Sequence, residues 1–285
     1  MARGGNRHTE QHRRRSGATS PAATANERPV RPDEPPILVL RKAWRVLDAF
    51  SPERPTLDFQ EIRAATGLPA TTCLRLVRNL VSEGLLAQNG DRYRLGLTIL
   101  RWAAGARAGM RLIDIVLPLL EELRDDSGET AGLFVREGDS RVCVALAETH
   151  HAVARRLWIG HALPLHVGSP GKVLLAYDED GVAGPGRRRL SASTERTITD
   201  PRKLEAELEG IRRRSYATSF GEWDLDVSGI AAPVFAGDRR IVGAVAISAP
   251  AQRLGPADEE RVAPMVVRAA LDASVQLAYL PEAPS

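Results

Sequence analysis

The chain has 285 residues, 43% hydrophobic and 26% charged, with 39 Lys and Arg against 36 Asp and Glu. No apolar run approaches the roughly 18 residues of a membrane helix, and MARGGNRHTEQHRRRSGATS lacks the apolar stretch of a secretory signal. The expectation is a cytoplasmic protein without membrane contact. Cys73 and Cys143 are too few for a metal cluster or a disulfide framework, and are expected as buried thiols.

The formal charge of +3 is sorted along the chain. Residues 1–36 hold seven Arg and four acids, residues 37–111 twelve basic and six acidic side chains, and residues 112–285 twenty basic and twenty-six acidic. A cationic front and an anionic back predict two bodies with different partners. Residues 1–36, rich in Arg, Pro, Ala, Ser and Thr, read as a disordered basic tail. The run Arg13-Arg14-Arg15 suits DNA phosphates and equally a solvated tail.

Ile37 to Phe50 reads as an amphipathic helix with Leu40, Ala43, Trp44 and Leu47 as its apolar positions. A short helix follows around 57–66, with Phe59, Ile62 and Ala65 apolar, and Gly67 stops it. A third helix runs from Ala70 to Glu83 and closes at Gly84. The strand-like runs 85–88 and 92–95 flank Asn89-Gly90, a hairpin signal. Three helices and a hairpin carrying the positive charge predict a winged helix-turn-helix over 37–96.

On the third helix, Cys73, Leu76, Val77 and Leu80 share one face, and Thr71, Arg75, Arg78 and Ser82 lie opposite. Arg takes guanine bidentately, and Thr bonds bases or phosphates and touches the thymine methyl. Thr71, Thr72, Arg75, Arg78 and Ser82 are therefore the expected DNA-reading face. Arg41, Lys42, Arg92 and Arg94 are the expected phosphate contacts.

The stretch VLRKAWRVLDAF…LDFQEIRAATGLPATTCLRLVRNLVSEGLL…DRYRLG resembles the N-terminal domain of the IclR family of bacterial transcriptional regulators. Leu68-Pro69, Thr71-Thr72, Arg75-Leu76 and the wing residues Tyr93, Leu95 and Gly96 carry the likeness. Ala70 departs from it, since members often have Lys there and its phosphate contact would be missing. Residues 97–111 read as a linker helix, LTILRWAAGARA at its start. The resemblance implies dimer contacts through this helix and the first, anchored by Trp44 and Trp102; burial of both tryptophans within one chain fits the residues equally.

From residue 112 the pattern alternates helices and apolar strands. Ile113–Asp126 is a helix, Thr130–Val135 and Arg141–Ala147 a strand pair, and Asp200-Pro201 caps a helix through Arg213. Strands at Tyr216–Phe220, Gly229–Phe235 and Ile241–Ser248 precede a helix over 256–278. Short turns between neighbouring strands predict an α+β fold with an antiparallel sheet.

The likeness extends through Ser127-Gly128-Glu129-Thr130, Leu163-Pro164-Leu165-His166, Gly171-Lys172-Val173-Leu174-Leu175-Ala176, Tyr216-Ala217, Gly221-Glu222 and Ile230–Val234. It implies a GAF-like effector-binding domain over 112–285 and ligand-controlled transcription. Its pocket would be lined by Ser169, Pro170, Gly171, Lys172, Glu222, Val227, Gly229, Ala231, Ala246 and Ser248. Gly229 and Ala246 stand where small-acid sensors often carry Cys or Ser, which predicts a roomier, less polar cavity for an organic acid, with an aromatic acid or lactone as the leading form.

Gly171-Lys172 is no phosphate loop, because His166 and Val173 replace its Gly and its Ser/Thr. The glycines at 181–186 and the run Arg187–Arg189 read as loop, and Arg212–Arg214 as a helix C-terminus. His150, His151, His161 and His166 lack the spacing of a metal set, and His166 is expected to orient the pocket loop. No cofactor is expected. The expected protein is a homodimer or homotetramer that binds an operator as a repressor. Redox sensing through Cys73 or Cys143, and an enzyme with an appended DNA-binding domain, are the alternatives.

Overall fold

A computed structural model of the protein describes residues 37–152, 157–178 and 190–279. The tail 1–36, the glycine loop 181–186 and Arg187–Arg189 lie outside the described residues.

The N-terminal elements are α1 (Leu38–Leu47), β1 (Thr56–Asp58), α2 (Phe59–Thr66), α3 (Ala70–Ser82), β2 (Leu86–Asn89) and β3 (Arg92–Leu95). A capping box starts α2: Asp58 accepts from the Glu61 N–H at 2.9 Å while Glu61 accepts from the Asp58 N–H at 2.8 Å. Gly67, at φ 63°, ends it in the left-handed region, so α3 departs after only Leu68 and Pro69. Val46, Ile62, Cys73, Leu76, Val77, Leu80 and Leu86 are the core of this region.

Two details correct the expectations. Helix α1 buries Val46 and half-buries Ala43 and Leu47, whereas Leu40 and Trp44 are exposed. Its surface is apolar on two sides, and the wheel alone does not choose between them. The hairpin turns on Gly90 and Asp91, because Asn89 pairs with Arg92 as the last rung, and Gly90 supplies the positive φ of 61°. Strand β1, too short to read from pattern, adds an edge in the order β1-β3-β2.

Helix α4 (Leu97–Ala108) has no buried residue and leads to α5 (Arg111–Ser127). Then follow β4 (Thr130–Glu137), β5 (Ser140–Ala147), β6 (Ala162–Pro164), α6 (Ser169–Ala176), α7 (Pro201–Arg214), β7 (Ala217–Phe220), β8 (Val227–Phe235), β9 (Ile241–Pro250) and α8 (Glu259–Ala278). The six strands form an antiparallel sheet in the order β6-β5-β4-β9-β8-β7. Helices α5 and α8 cover one face with Val116, Leu120, Leu133, Ile230 and Val266 between. Helices α6 and α7 lie over the other with Phe134, Cys143, Val173, Leu204 and Ala246.

A bulge sets which face β5 offers to each layer. Leu133 pairs with Ala145, but the next residue, Phe134, pairs with Cys143, leaving Val144 as the extra residue. Ala145 and Ala147 belong to the α5/α8 core, whereas Cys143 belongs to the α6/α7 side, with Arg141 in phase with it.

Candidate functional site

Two surfaces carry the chemistry. On α3 the inward face Cys73, Leu76, Val77 and Leu80 is buried, and Thr71, Arg75, Arg78 and Ser82 are exposed, with Thr72 at the margin. Neither Arg75 nor Arg78 uses its guanidinium in a hydrogen bond or ion pair within the described residues. The Ser82 hydroxyl donates back to Asn79 O at 2.8 Å, and the Asn79 amide donates to Arg75 O at 2.7 Å. Asn79 is an exposed polar residue of this helix absent from the expected DNA-reading set, although its position between Arg75 and Ser82 was signal enough.

The phosphate contacts divide. Arg41 and Arg94 are exposed and Lys42 is half-buried. Arg92 is engaged within the protein: it donates to Thr56 O at 2.8 Å and stands 3.5 Å from Glu61 Oε2. That pairing crosses from β3 to β1 and α2, so Arg92 braces the wing while its side chain stays exposed, and Arg94 donates to Leu95 O at 3.4 Å.

The second surface is a cavity between the sheet and the start of α6. Of the ten residues expected there, Ser169, Pro170, Val227, Gly229, Ala246 and Ser248 line it. Four do not. Gly171 is pressed on the chain before α6, where a Cβ would stand 2.2 Å from Leu165 O. Ala231 is core on the α6/α7 side. Lys172 and Glu222 are bonded to each other, Nζ to Oε1 at 2.5 Å.

Arg141, His161, Phe134, Trp223, Ser219 and Ser228 line the cavity as well, with Leu157, Leu163, Gly168 and Ile247. The Arg141 side chain is 5% exposed, its Nε donates to Val167 O at 3.3 Å, and its Cζ lies 4.9 Å from the centroid of Phe134. Burial holds its pKa down to about 10, which still leaves it charged at neutral pH. His161 stacks on Trp158 at 4.1 Å and meets the edge of Trp223 at 4.9 Å. Burial, and then the Arg141 charge, push its pKa down to about 4, so the ring is neutral. Its Nδ1 is buried with no hydrogen-bond partner among the described residues.

This cavity is tighter than the roomy site expected from the sequence. It measures about 40 Å³, room for roughly three waters. The space beside Gly229 is already occupied: a Cβ there would stand 3.1 Å from Ser169 Oγ of α6 and 2.9 Å from Ile247 O of the neighbouring strand β9. Arg141 sets one buried charge in a lining that is otherwise mostly apolar. Alternation along RVCVALA puts Arg141 in phase with Cys143, Ala145 and Ala147 alike, so the pattern alone does not tell which face of the sheet it takes. His161 and Trp223 sit in irregular segments that have no period to read.

His166 donates from Nε2 to Ser191 O, 2.9 Å away, and does not line the cavity. Cys73 and Cys143 are both buried and free. Burial raises both thiol pKa values, Cys143 to about 12, which disfavours the reactive thiolate.

A family model described as the IclR helix-turn-helix domain matches residues 39–90, and one described as the IclR C-terminal domain of bacterial transcriptional regulators matches residues 105–275. The transcriptional repressor IclR of Escherichia coli is 28% identical over 253 residues, 84% of this chain and 89% of that protein. The glycerol operon regulatory protein of Streptomyces coelicolor is 30% identical over 217 residues, 75% of this chain and 85% of that protein. An IclR homolog of Microbacterium hydrocarbonoxydans, solved in complex with 4-hydroxybenzoate, is 26% identical with a TM-score of 0.68, covering 84% of this chain and 98% of that one.

Proposed function

The chain belongs to the IclR family of bacterial transcriptional regulators, and we propose that it represses transcription by holding operator DNA through α3 and the wing. The observation that carries this is the α3 face: four apolar side chains bury one side, leaving Thr71, Arg75 and Arg78 exposed with both guanidinium groups free among the described residues. Phosphate contacts from Arg41, Lys42 and Arg94 then set orientation without reading sequence.

A small organic acid in the cavity beneath the sheet changes the operator affinity by favouring one of two protomer arrangements. The 4-hydroxybenzoate bound to the Microbacterium relative supports an acid ligand. The working form is a homodimer or a homotetramer. Its contacts use the exposed apolar residues of α1 and α4, where Trp44 is 66% and Trp102 58% exposed. Among the described residues no helix is long and apolar enough to cross a membrane, which accords with a cytoplasmic regulator. The relatives are regulators rather than enzymes, and the raised thiol pKa values speak against redox sensing.

Footprinting on the DNA upstream of its own gene, with and without organic acids, tests the reading. The expected result is a protected palindrome whose protection changes with acid. Protection indistinguishable from that on random DNA would remove it.

A further inference from the structure

Arg141 is a buried cation that feels the Glu222 charge only from beyond ion-pair distance. Among the described residues no carboxylate stands within ion-pair distance of it, and only its Nε hydrogen-bonds. The nearby acid, Glu222, is already matched: Oε1 takes the Lys172 ammonium at 2.5 Å and Oε2 the Gly168 N–H at 3.1 Å. A guanidinium removed from water and left unneutralised is costly unless a partner arrives. The cavity wall beside it also leaves His161 Nδ1 buried without a hydrogen bond. The buried Nδ1 of His161 and the Nη groups of Arg141, which make no hydrogen bond among the described residues, point to a ligand in this cavity.

The surroundings suit a planar acid. Phe134 backs the guanidinium face at 4.9 Å. Gly168, at φ 79°, keeps the Nη2 edge clear, since a Cβ there would stand 3.1 Å from it. Ser169, at the first turn of α6, offers a hydroxyl and a helix N-terminus to the same space.

We propose that Arg141 is the anion seat of this cavity, gripping a compact monocarboxylate fork to fork and discriminating the acid from its neutral amide or lactone. The inference rests on the effector reading and deepens it. Guanidinium and carboxylate match as parallel bidentate donors and acceptors, which a neutral analogue cannot reproduce. About 40 Å³ suits an acid of two or three carbons, and a larger one requires the lining to shift.

Calorimetric titration of the full chain without DNA tests it, using acetate, propionate and benzoate, their primary amides, and γ-butyrolactone. At least one acid should bind about 10- to 100-fold more tightly than its amide. Arg141→Met should erase that preference. Arg141→Lys, which keeps the charge and loses the fork, should keep a preference for the acid at lower affinity. Equal binding of acid and amide, tighter binding of the amide or lactone, or no acid binding at all would overturn the seat. Circular dichroism reports the folding of each variant; if the Met variant is unfolded, the wild-type acid-to-amide ratio and the Lys variant decide. Wild-type footprinting separates the two readings. Acid–amide parity with operator protection intact removes only the role of Arg141, whereas absent protection removes the regulator itself.

Discussion

The Lys172 ammonium lies 2.5 Å from Glu222 Oε1, a pair fifty residues apart in sequence with side chains only 2% and 9% exposed. Lys172 also donates to Thr218 O at 2.8 Å, and Glu222 accepts the Gly168 N–H. The pair ties the first turn of α6 to the loop after β7, one residue from Trp223. Removing one partner strands a buried charge, so Lys172→Met should cost about 3–5 kcal/mol in urea denaturation. The double variant Lys172→Met/Glu222→Leu should lose less than the sum of the two single changes.

The α3 arginines and the wing arginine should separate in DNA binding. Arg75→Ala should cost about 1–3 kcal/mol on the operator and relax base preference. Arg94→Ala should weaken operator and random DNA alike and lower the salt slope by about one. Fluorescence anisotropy at several salt concentrations measures both. Equal loss on operator and random DNA for Arg75→Ala would sink the assignment of the α3 face.

Two glycines should respond in opposite directions to alanine. At Gly171 a Cβ would meet Leu165 O at 2.2 Å, backbone against backbone, so Gly171→Ala should destabilise by about 3 kcal/mol or more. At Gly105, in the middle of α4, nothing lies within 4 Å. Gly105→Ala should stabilise by about 0.5–1 kcal/mol through helix propensity. Thermal denaturation of both variants checks the pair.

Acid should weaken the fold through His161. Its pKa is about 4 when folded, against 6.5 for an ordinary solvated imidazole, so the unfolded chain takes up the proton first as pH falls. Stability is unaffected above pH 6.5 and falls progressively towards pH 4. Between pH 7 and pH 4 the wild type should lose roughly 3 kcal/mol more than His161→Phe, which keeps a ring but cannot titrate. Denaturant midpoints across that range decide it, and parallel curves would refute the buried neutral imidazole.

Periodicity made most of the fold legible. Helix α3 could be read face by face because its apolar residues recur at helical spacing, and the cap at Asp200-Pro201 marked α7. Strands β1 and β6 span three residues each, shorter than any pattern. The two apolar sides of α1 compete on equal terms until tertiary packing chooses Val46. The cavity was half legible. Six lining residues follow from family motifs, but Lys172 and Glu222 find each other only once the chain is folded. His161 and Trp223 come from loops whose positions depend on everything around them.

The unpaired residue at Val144 reaches further than its size suggests. Strict alternation along β5 would send Arg141 to the same side as Ala145 and Ala147, among the aliphatic side chains of α5 and α8. The bulge reverses that sense within one residue and delivers the cation to the cavity instead. In a fold built this way, a charge can enter or leave the binding chamber through a one-residue insertion or deletion in a strand, with no chamber residue exchanged.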